Sequence, residues 1–180
     1  MNHPGPSARL SGLSYPDRVI RDARPDDVPA IHRMIGELAE YERARDEVRA
    51  TEDDLVRDLF GPRPAIFSHI AEDADGATVG FSLWFLNYST WLGRHGIYLE
   101  DLYVSADARG GGHGKALLAE LARVAVERGY GRVEWSVLTW NPANDFYRGL
   151  GAVSQDEWRV NRLTGGPLEK LAEQALSRRS

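Results

Sequence analysis

The stretch from Val104 to Ala116 reads Val-Ser-Ala-Asp-Ala-Arg-Gly-Gly-Gly-His-Gly-Lys-Ala. Glycines at 110, 111, 112 and 114 let a backbone approach a ligand closely and adopt positive φ. An apolar helical pattern follows at once, so the free N–H groups of a helix start and its dipole favour an anion there, a phosphate or pyrophosphate. Two familiar phosphate motifs fail on spacing. With Gly114-Lys115 in place, a P-loop would need Gly at Arg109 and Ser or Thr at Ala116. A dinucleotide fingerprint begun at Gly110 or Gly112 would end on Lys115 or Leu117. The spacing that remains is Arg-x-x-Gly-x-Gly, carried by Arg109, Gly112 and Gly114. Two further groups of chemistry-bearing residues flank it: Tyr98-Leu99-Glu100-Asp101-Leu102-Tyr103 upstream, and Trp140-Asn141-Pro142-Ala143-Asn144-Asp145-Phe146-Tyr147-Arg148 downstream.

The elements that position these groups can be read from periodicity. A short strand is expected at 18–20. A helix with Pro25, Asp26 and Asp27 in its first turn buries Val28, Ile31, Ile35 and Leu38. Thr51 caps a second helix through Leu55 and Leu59. Strands are expected at 65–71, 78–88 and 96–104. From Lys115 the period becomes helical, with Leu117, Leu118, Leu121, Val124 and Ala125 on one face and Gly129 as C-cap. Val133, Trp135 and Val137 alternate as a strand. Asn141 as N-cap and Pro142 at N1 open a short helix. A last strand is expected at 152–160 and a terminal helix at 167–175. This order predicts an α/β (α+β) fold: a mixed, mostly antiparallel sheet with helices on both faces.

Bulk properties narrow the function. The chain has 180 residues, 42% hydrophobic and 27% charged, which suits one soluble domain, expected over 18–175, after a disordered tail at 1–17. The net charge of −5 argues against a nucleic-acid binder. There is no cysteine, so no disulfide, zinc-thiolate or thiol nucleophile is available, and a cysteine-linked acyl-enzyme is excluded. No apolar h-region opens the chain and no run approaches the roughly 18 residues that span a bilayer, so neither a signal peptide nor a membrane partner is expected. His3, His32, His69, His95 and His113 show no metal-ligand spacing, and no metal is expected.

The strand, the Arg109-x-x-Gly112-x-Gly114 loop, its helix, the next strand and an Asn141-to-Tyr147 helix closed by Gly149 and Gly151 resemble the GNAT acetyltransferases, from about residue 18 to 175. Glu37-Leu38-Ala39-Glu40-Tyr41-Glu42, the aromatic stretch from Phe85 to Gly93, Tyr98-Leu99-Glu100-Asp101 and Trp140-Asn141 resemble, within them, the diamine (spermidine/spermine) N1-acetyltransferases and their thialysine-acetylating relatives. Ser89 stands where that subfamily's hairpin carries an acidic residue. The resemblance implies a GNAT fold and acetyl-coenzyme A as co-substrate. It implies a coenzyme site at Leu102, Tyr103, Val104, Arg109, Gly110, Gly111, Gly112, His113, Gly114 and Lys115, with Asn141, Asn144 and Arg148 along the coenzyme arm. It implies an amine site at Tyr41, Glu42, Glu100 and Asp101, and a homodimer in the cytoplasm.

The chemistry is consistent with those roles. A primary amine has a pKa near 10.4, so a base must take its proton before attack, and Glu100 is the candidate, through water. Backbone N–H groups near Leu102–Val104 could hold the oxyanion if the strand is bulged there. The leaving thiolate needs an acid, and Tyr147, a phenol, can supply the proton. Trp84, Tyr88 and Trp91 could wall a polyamine by cation–π contact. The expected activity is therefore direct acetyl transfer to a small cationic amine, first a polyamine or diamine. Alternatives are a lysine-like amino acid such as thialysine, or a non-catalytic acyl-coenzyme A sensor.

Overall fold

The computed structural model describes residues 19–176; the expected tail at 1–17 lies outside them. The chain divides into two compact units, residues 1–136 and 137–180.

The first unit is built on a five-stranded sheet in the order β1 (Val19–Asp22), β2 (Phe67–Glu72), β3 (Thr78–Ser89), β4 (Arg94–Val104), β5 (Val133–Trp135). The first three pairings are antiparallel and β4–β5 is parallel, so the sheet is mixed as the sequence predicts. The parallel pair requires a crossover, and α3 (His113–Glu127) supplies it. Between β1 and β2 lie α1 (Val28–Tyr41) and α2 (Glu52–Phe60).

Each element follows from local chemistry. A single 3-10 turn at Pro25–Asp27 leads into α1. Asp27, buried, accepts from both terminal nitrogens of Arg21 (2.6 and 2.8 Å) and from the Arg24 N–H (2.7 Å), which ties β1 to the helix start. Thr51 and Asp54 form a reciprocal capping box on α2. Ser89, in the place of the subfamily's acid, accepts from the Leu92 N–H (3.1 Å) and closes the β3–β4 turn.

Helices α1 and α2 cover one sheet face: Val28, Ile31 and Met34 of α1 and Leu55 and Leu59 of α2 pack on Ile70, Phe81, Leu83 and Tyr103. Helix α3 contacts all five strands and buries Leu117, Leu121 and Val124 against the other face. There Trp84 is 4% exposed and stacks with Phe67 and His69. Trp84 is therefore a core residue, not a wall for an amine. Burial lowers the His69 imidazole pKa, which keeps that ring neutral in the core. Trp91, by contrast, is 88% exposed in the β3–β4 turn.

The second unit contains α4 (Ala143–Gly149) and α5 (Gly165–Leu176). The strand expected at 152–160 does not form. The Trp158 N–H donates to the Gln155 carbonyl (3.0 Å), a turn that breaks the extended path at Asp156-Glu157, residue types poor in strands. Val153 and Val160 are each 80% exposed. Helix α4 also starts one residue later than expected, with Pro142 in the cap position rather than inside the first turn.

Phe81→Ala should lower unfolding free energy by about 3–5 kcal/mol, because the cavity would open at a fully buried ring. Thr51→Ala should cost only about 1 kcal/mol, the usual loss for a helix cap. Urea denaturation of both variants checks the contrast.

Candidate active site

The site of interest in the first unit starts at an irregularity in β4. Leu83 pairs with Asp101, but Trp84 pairs with Leu99, so Glu100 is an extra residue on β4: a β-bulge. The sequence argument allowed a bulge near 102–104; the structure sets it two residues earlier. The bulge switches which face each residue meets. Leu99 and Ile97 lie across from Trp84 and Leu86, on the α3 face, whereas Asp101 and Tyr103 lie across from Leu83 and Phe81, on the α1 face. The pairing of β4 with β5 ends at Leu99–Trp135. Just beyond, the Tyr98 hydroxyl bonds the Ser136 hydroxyl (2.8 Å). Among the described residues no strand pairs with the β5-side edge of β4 from Glu100 to Val104, and apart from the Val104 carbonyl, which accepts from Arg109, its outward N–H and C=O groups are unpaired by the sheet.

Three carboxylates gather on this segment. Burial raises the Asp101 pKa to about 6, with further upward pushes from the negative charges of Glu100 and Glu42. Glu42 is also pushed up, by burial. It is the C-cap residue of α1, and no basic residue lies in that helix's last turn. An acid at the negative end of a helix dipole is electrostatically unfavourable. Acidic side chains held in this way are suited to a positively charged guest.

The end of α1 is held in a defined shape. Glu42 N–H donates to Leu38 O (2.9 Å), Arg43 N–H to Glu40 O (3.0 Å) and Ala44 N–H to Ala39 O (2.8 Å). Arg43 has φ 61°, the left-handed conformation that glycine usually provides in this motif.

The glycine-rich loop runs from β4 into α3 through a 3-10 turn at Ala106–Ala108. Gly110 (φ 78°) and Gly112 (φ 82°) both take left-handed backbone, so these two positions need glycine. A Cβ on Gly111 would meet Ala108 O and the His113 ring at 3.0 Å. Gly112 caps α3 and brings no side chain over the helix start. The first N–H groups of α3 therefore have no intrahelical acceptor. These features fit a pyrophosphate. The His113 side chain is buried, so only its backbone can take part, while Lys115 is exposed.

The Arg109 side chain leaves the loop toward two tyrosines. Its Nε donates to Val104 O (3.1 Å), and its guanidinium lies 5.3 Å from the Tyr41 ring centroid and 5.7 Å from that of Tyr103. The Tyr103 phenol is pushed up by burial and by the adjacent Glu37. Sequence reasoning did not pair Arg109 with Tyr41, since no spacing rule joins residues so far apart in the chain.

In the second unit, Thr139, Trp140, Asn141, Asn144, Arg148 and Asp156 are among the residues lining a cleft of about 430 Å³. Asn141 Oδ1 accepts from the Ala143 N–H (2.9 Å). The Asn144 amide donates to Asn141 O (2.7 Å) and Leu138 O (3.0 Å), and Arg148 pairs with Asp145. Asn141 and Asn144 thus shape the turn into α4. Tyr147 is half-buried, with its ring 5.3 Å from that of Phe146. Among the described residues no group of three or more His, Asp or Glu is placed to hold a metal ion, and no helix is long and apolar enough to cross a membrane.

Comparison with known proteins points the same way as this geometry. The profile of the acetyltransferase (GNAT) family matches residues 28–152. A thialysine N-epsilon-acetyltransferase of Bos taurus is 39% identical over 165 residues, covering 86% of this chain and 96% of its own. A spermidine/spermine N(1)-acetyltransferase-like protein of Homo sapiens is 34% identical over 163 residues, covering 85% of this chain but 23% of its own. Among solved structures, an integron cassette protein from the mobile metagenome of V. cholerae superposes with a TM-score of 0.71 at 27% identity, over 87% of this chain and 98% of its own.

Asp101 gives this site a pH signature. Its pKa is raised from 3.8 to about 6, so folding favours the protonated form. That contribution to stability is complete below pH 3.8 and is lost as pH rises through about 6. Asp101→Asn should therefore raise unfolding free energy at pH 8 by about 1–3 kcal/mol, and the gain should vanish near pH 4. Urea denaturation of both proteins across that pH range checks it.

Proposed function

The chain belongs to the GNAT acetyltransferase family and is an acetyltransferase, and we propose that it moves the acetyl group of acetyl-coenzyme A directly onto the terminal primary amine of a small cationic substrate. The observation that carries this reading is the meeting of Glu42, at the end of α1, with Glu100 and Asp101 at the β4 bulge: burial raises the Asp101 pKa to about 6, and the negative charges of Glu100 and Glu42 add to the upward push. An ammonium group relieves that repulsion. A neutral acceptor does not.

The family uses acetyl-coenzyme A as co-substrate. The residues suited to it are the N–H groups of Gly110 and of Gly112 to Lys115 for the pyrophosphate, the Gly111 N–H being held by Ala108 O, and the β4 edge from Leu102 to Val104 for the arm. The edge N–H groups there also suit the oxyanion that forms when the thioester is attacked. Asn141, Asn144 and Arg148 complete the proposed coenzyme contacts. The amine arrives protonated, held by Glu42 and Asp101 beside Tyr41. Glu100, exposed at the bulge, takes its proton through water. Tyr147 returns a proton to the departing thiolate. The reading extends to a homodimer in the cytoplasm, for which sedimentation should give twice the chain's 20.1 kDa.

Two acceptor classes follow from the acidic trio. One is a polyamine or diamine. The other is the side-chain amine of a lysine-like amino acid. Relatives named for each class support both: the thialysine-acetylating one matches 86% of this chain and the spermidine/spermine one 85%.

Release of free coenzyme A should be measured against spermidine, spermine, putrescine, thialysine, lysine, ornithine, an aminoglycoside and a peptide. Turnover is expected with at least one of the first six. Glu100→Gln should lower kcat by about 10²–10³-fold at neutral pH, and Tyr147→Phe by a comparable or smaller factor. Tight coenzyme binding with no amine acetylated would instead support the sensor reading.

A further inference from the structure

The loop after β4 and the end of α1 are joined by one side chain. Arg109 leaves the glycine-rich loop, is fixed at Nε by Val104 O, and places its guanidinium against the rings of both Tyr41 and Tyr103. Tyr103 is 8% exposed and part of the core, so it is a fixed platform. Tyr41, the last residue of α1, is 37% exposed and gains its second support from the guanidinium. The next residue is Glu42, whose backbone is set by the hydrogen bonds of the helix end and by the left-handed Arg43. A guanidinium against two aromatic faces is attracted by both ring quadrupoles, and the attraction grows where water is thinned. Lys could not substitute fully, because it lacks the flat, stackable surface and the Nε–H.

We infer that Arg109 is a positioning residue for the acceptor amine: by bridging Tyr103 to Tyr41 it fixes the Glu42-bearing end of α1 against β4, where Asp101 stands. The resemblance places Arg109 in the coenzyme loop. In this structure the phosphate-binding capacity resides in the backbone of Gly110 to Lys115, and the side chain crosses to the other substrate's side. The inference rests on the reading of Glu42 and Asp101 as the amine site, and its test separates the two.

The test is a double-mutant cycle on Arg109→Met and Tyr41→Leu, with Tyr41→Phe as the conservative control, since Phe keeps the ring face. Amine KM, kcat and acetyl-coenzyme A Kd are measured for each. Each single variant should raise amine KM about tenfold with kcat within about twofold, matching the strength of such a contact. The double variant should be no worse than the worse single, because both remove one contact. Tyr41→Phe should leave the amide exchange of Glu42, Arg43 and Ala44 close to the parent's, and acetyl-coenzyme A Kd should move less than about twofold in Arg109→Met. A second readout needs no substrate: amide hydrogen exchange of Glu42, Arg43 and Ala44 should quicken about tenfold in Arg109→Met. Multiplying effects in the double variant, or a tenfold weaker acetyl-coenzyme A Kd with unchanged amine KM, would overturn the inference. Unchanged exchange at those three amides would also overturn it. If the parent acetylates no amine, the functional reading fails by itself, and the exchange experiment still decides whether Arg109 holds the end of α1.

Discussion

The extra residue at Glu100 is the constraint on which this site depends. Side chains on a strand alternate between faces, so one inserted residue reverses the assignment of everything after it. Before the bulge, Ile97 and Leu99 serve the α3 face; after it, Tyr103 serves the α1 face. The same insertion turns Asp101 toward α1, whose last turn carries Tyr41 and Glu42. Pairing with β5 ends at Leu99, one residue before the bulge. A single backbone irregularity thereby leaves part of one strand edge without a neighbouring strand and brings acids together beside it, which is what the proposed reading asks of a two-substrate site. The two substrates can then meet at the same strand without the chain supplying any covalent chemistry of its own.

Most of the scaffold could be read from the sequence because its signals are local. The Thr51 box, the α1 stripe of Val28 and Ile31, and the α3 stripe of Leu117 and Leu121 each lie within a few residues. The structure reproduces them within about two residues, apart from the start of α1, where Pro25–Asp27 form a 3-10 turn ahead of the helix. The glycine-rich loop was legible for the same reason: Gly110 and Gly112 do occupy left-handed backbone. The bulge was not. Ile97, Leu99, Asp101 and Tyr103 read as one alternating row with an acid in it, and only pairing with β3 shows that the row is cut in two. Trp84 was misassigned because an aromatic strand does not say which of its faces is covered. The strand expected at 152–160 was suggested by β-rich residue types, but a strand needs a partner, and the turn at Gln155–Trp158 removes the extended path.

Side-chain contacts at long range were the least legible. Arg109 matches a phosphate-loop pattern by position, yet its guanidinium rests on Tyr41 and Tyr103. A motif records which residue types occupy a loop; it does not record where a side chain with several rotatable bonds goes. Asn144 gives a similar lesson, since its amide bonds three residues back to Asn141 O and six back to Leu138 O, setting the shape of the turn. Residues that shape a binding loop and residues that touch the ligand can share one motif.

The distribution of charge separates stability from function in this fold. Elsewhere in the first unit several acids are neutralised where they stand: Asp27 and Glu72 by Arg21, Glu37 by Arg33, Glu120 and Glu127 by Arg123. In each case the attraction is local and largely offsets the cost of burial or repulsion. At the bulge the opposite holds. Asp101 is half-buried beside Glu100 and lies in the field of Glu42, and every cause acting on it pushes its pKa upward. A non-glycine residue in left-handed backbone at Arg43 adds strain at the adjoining helix end, of the kind that persists only where the surroundings enforce it. Stability alone would favour a lysine among these acids or a glycine at position 43. A bound cation lowers the repulsion as a built-in lysine would, but it can also leave, and that reversibility is what an acceptor site needs.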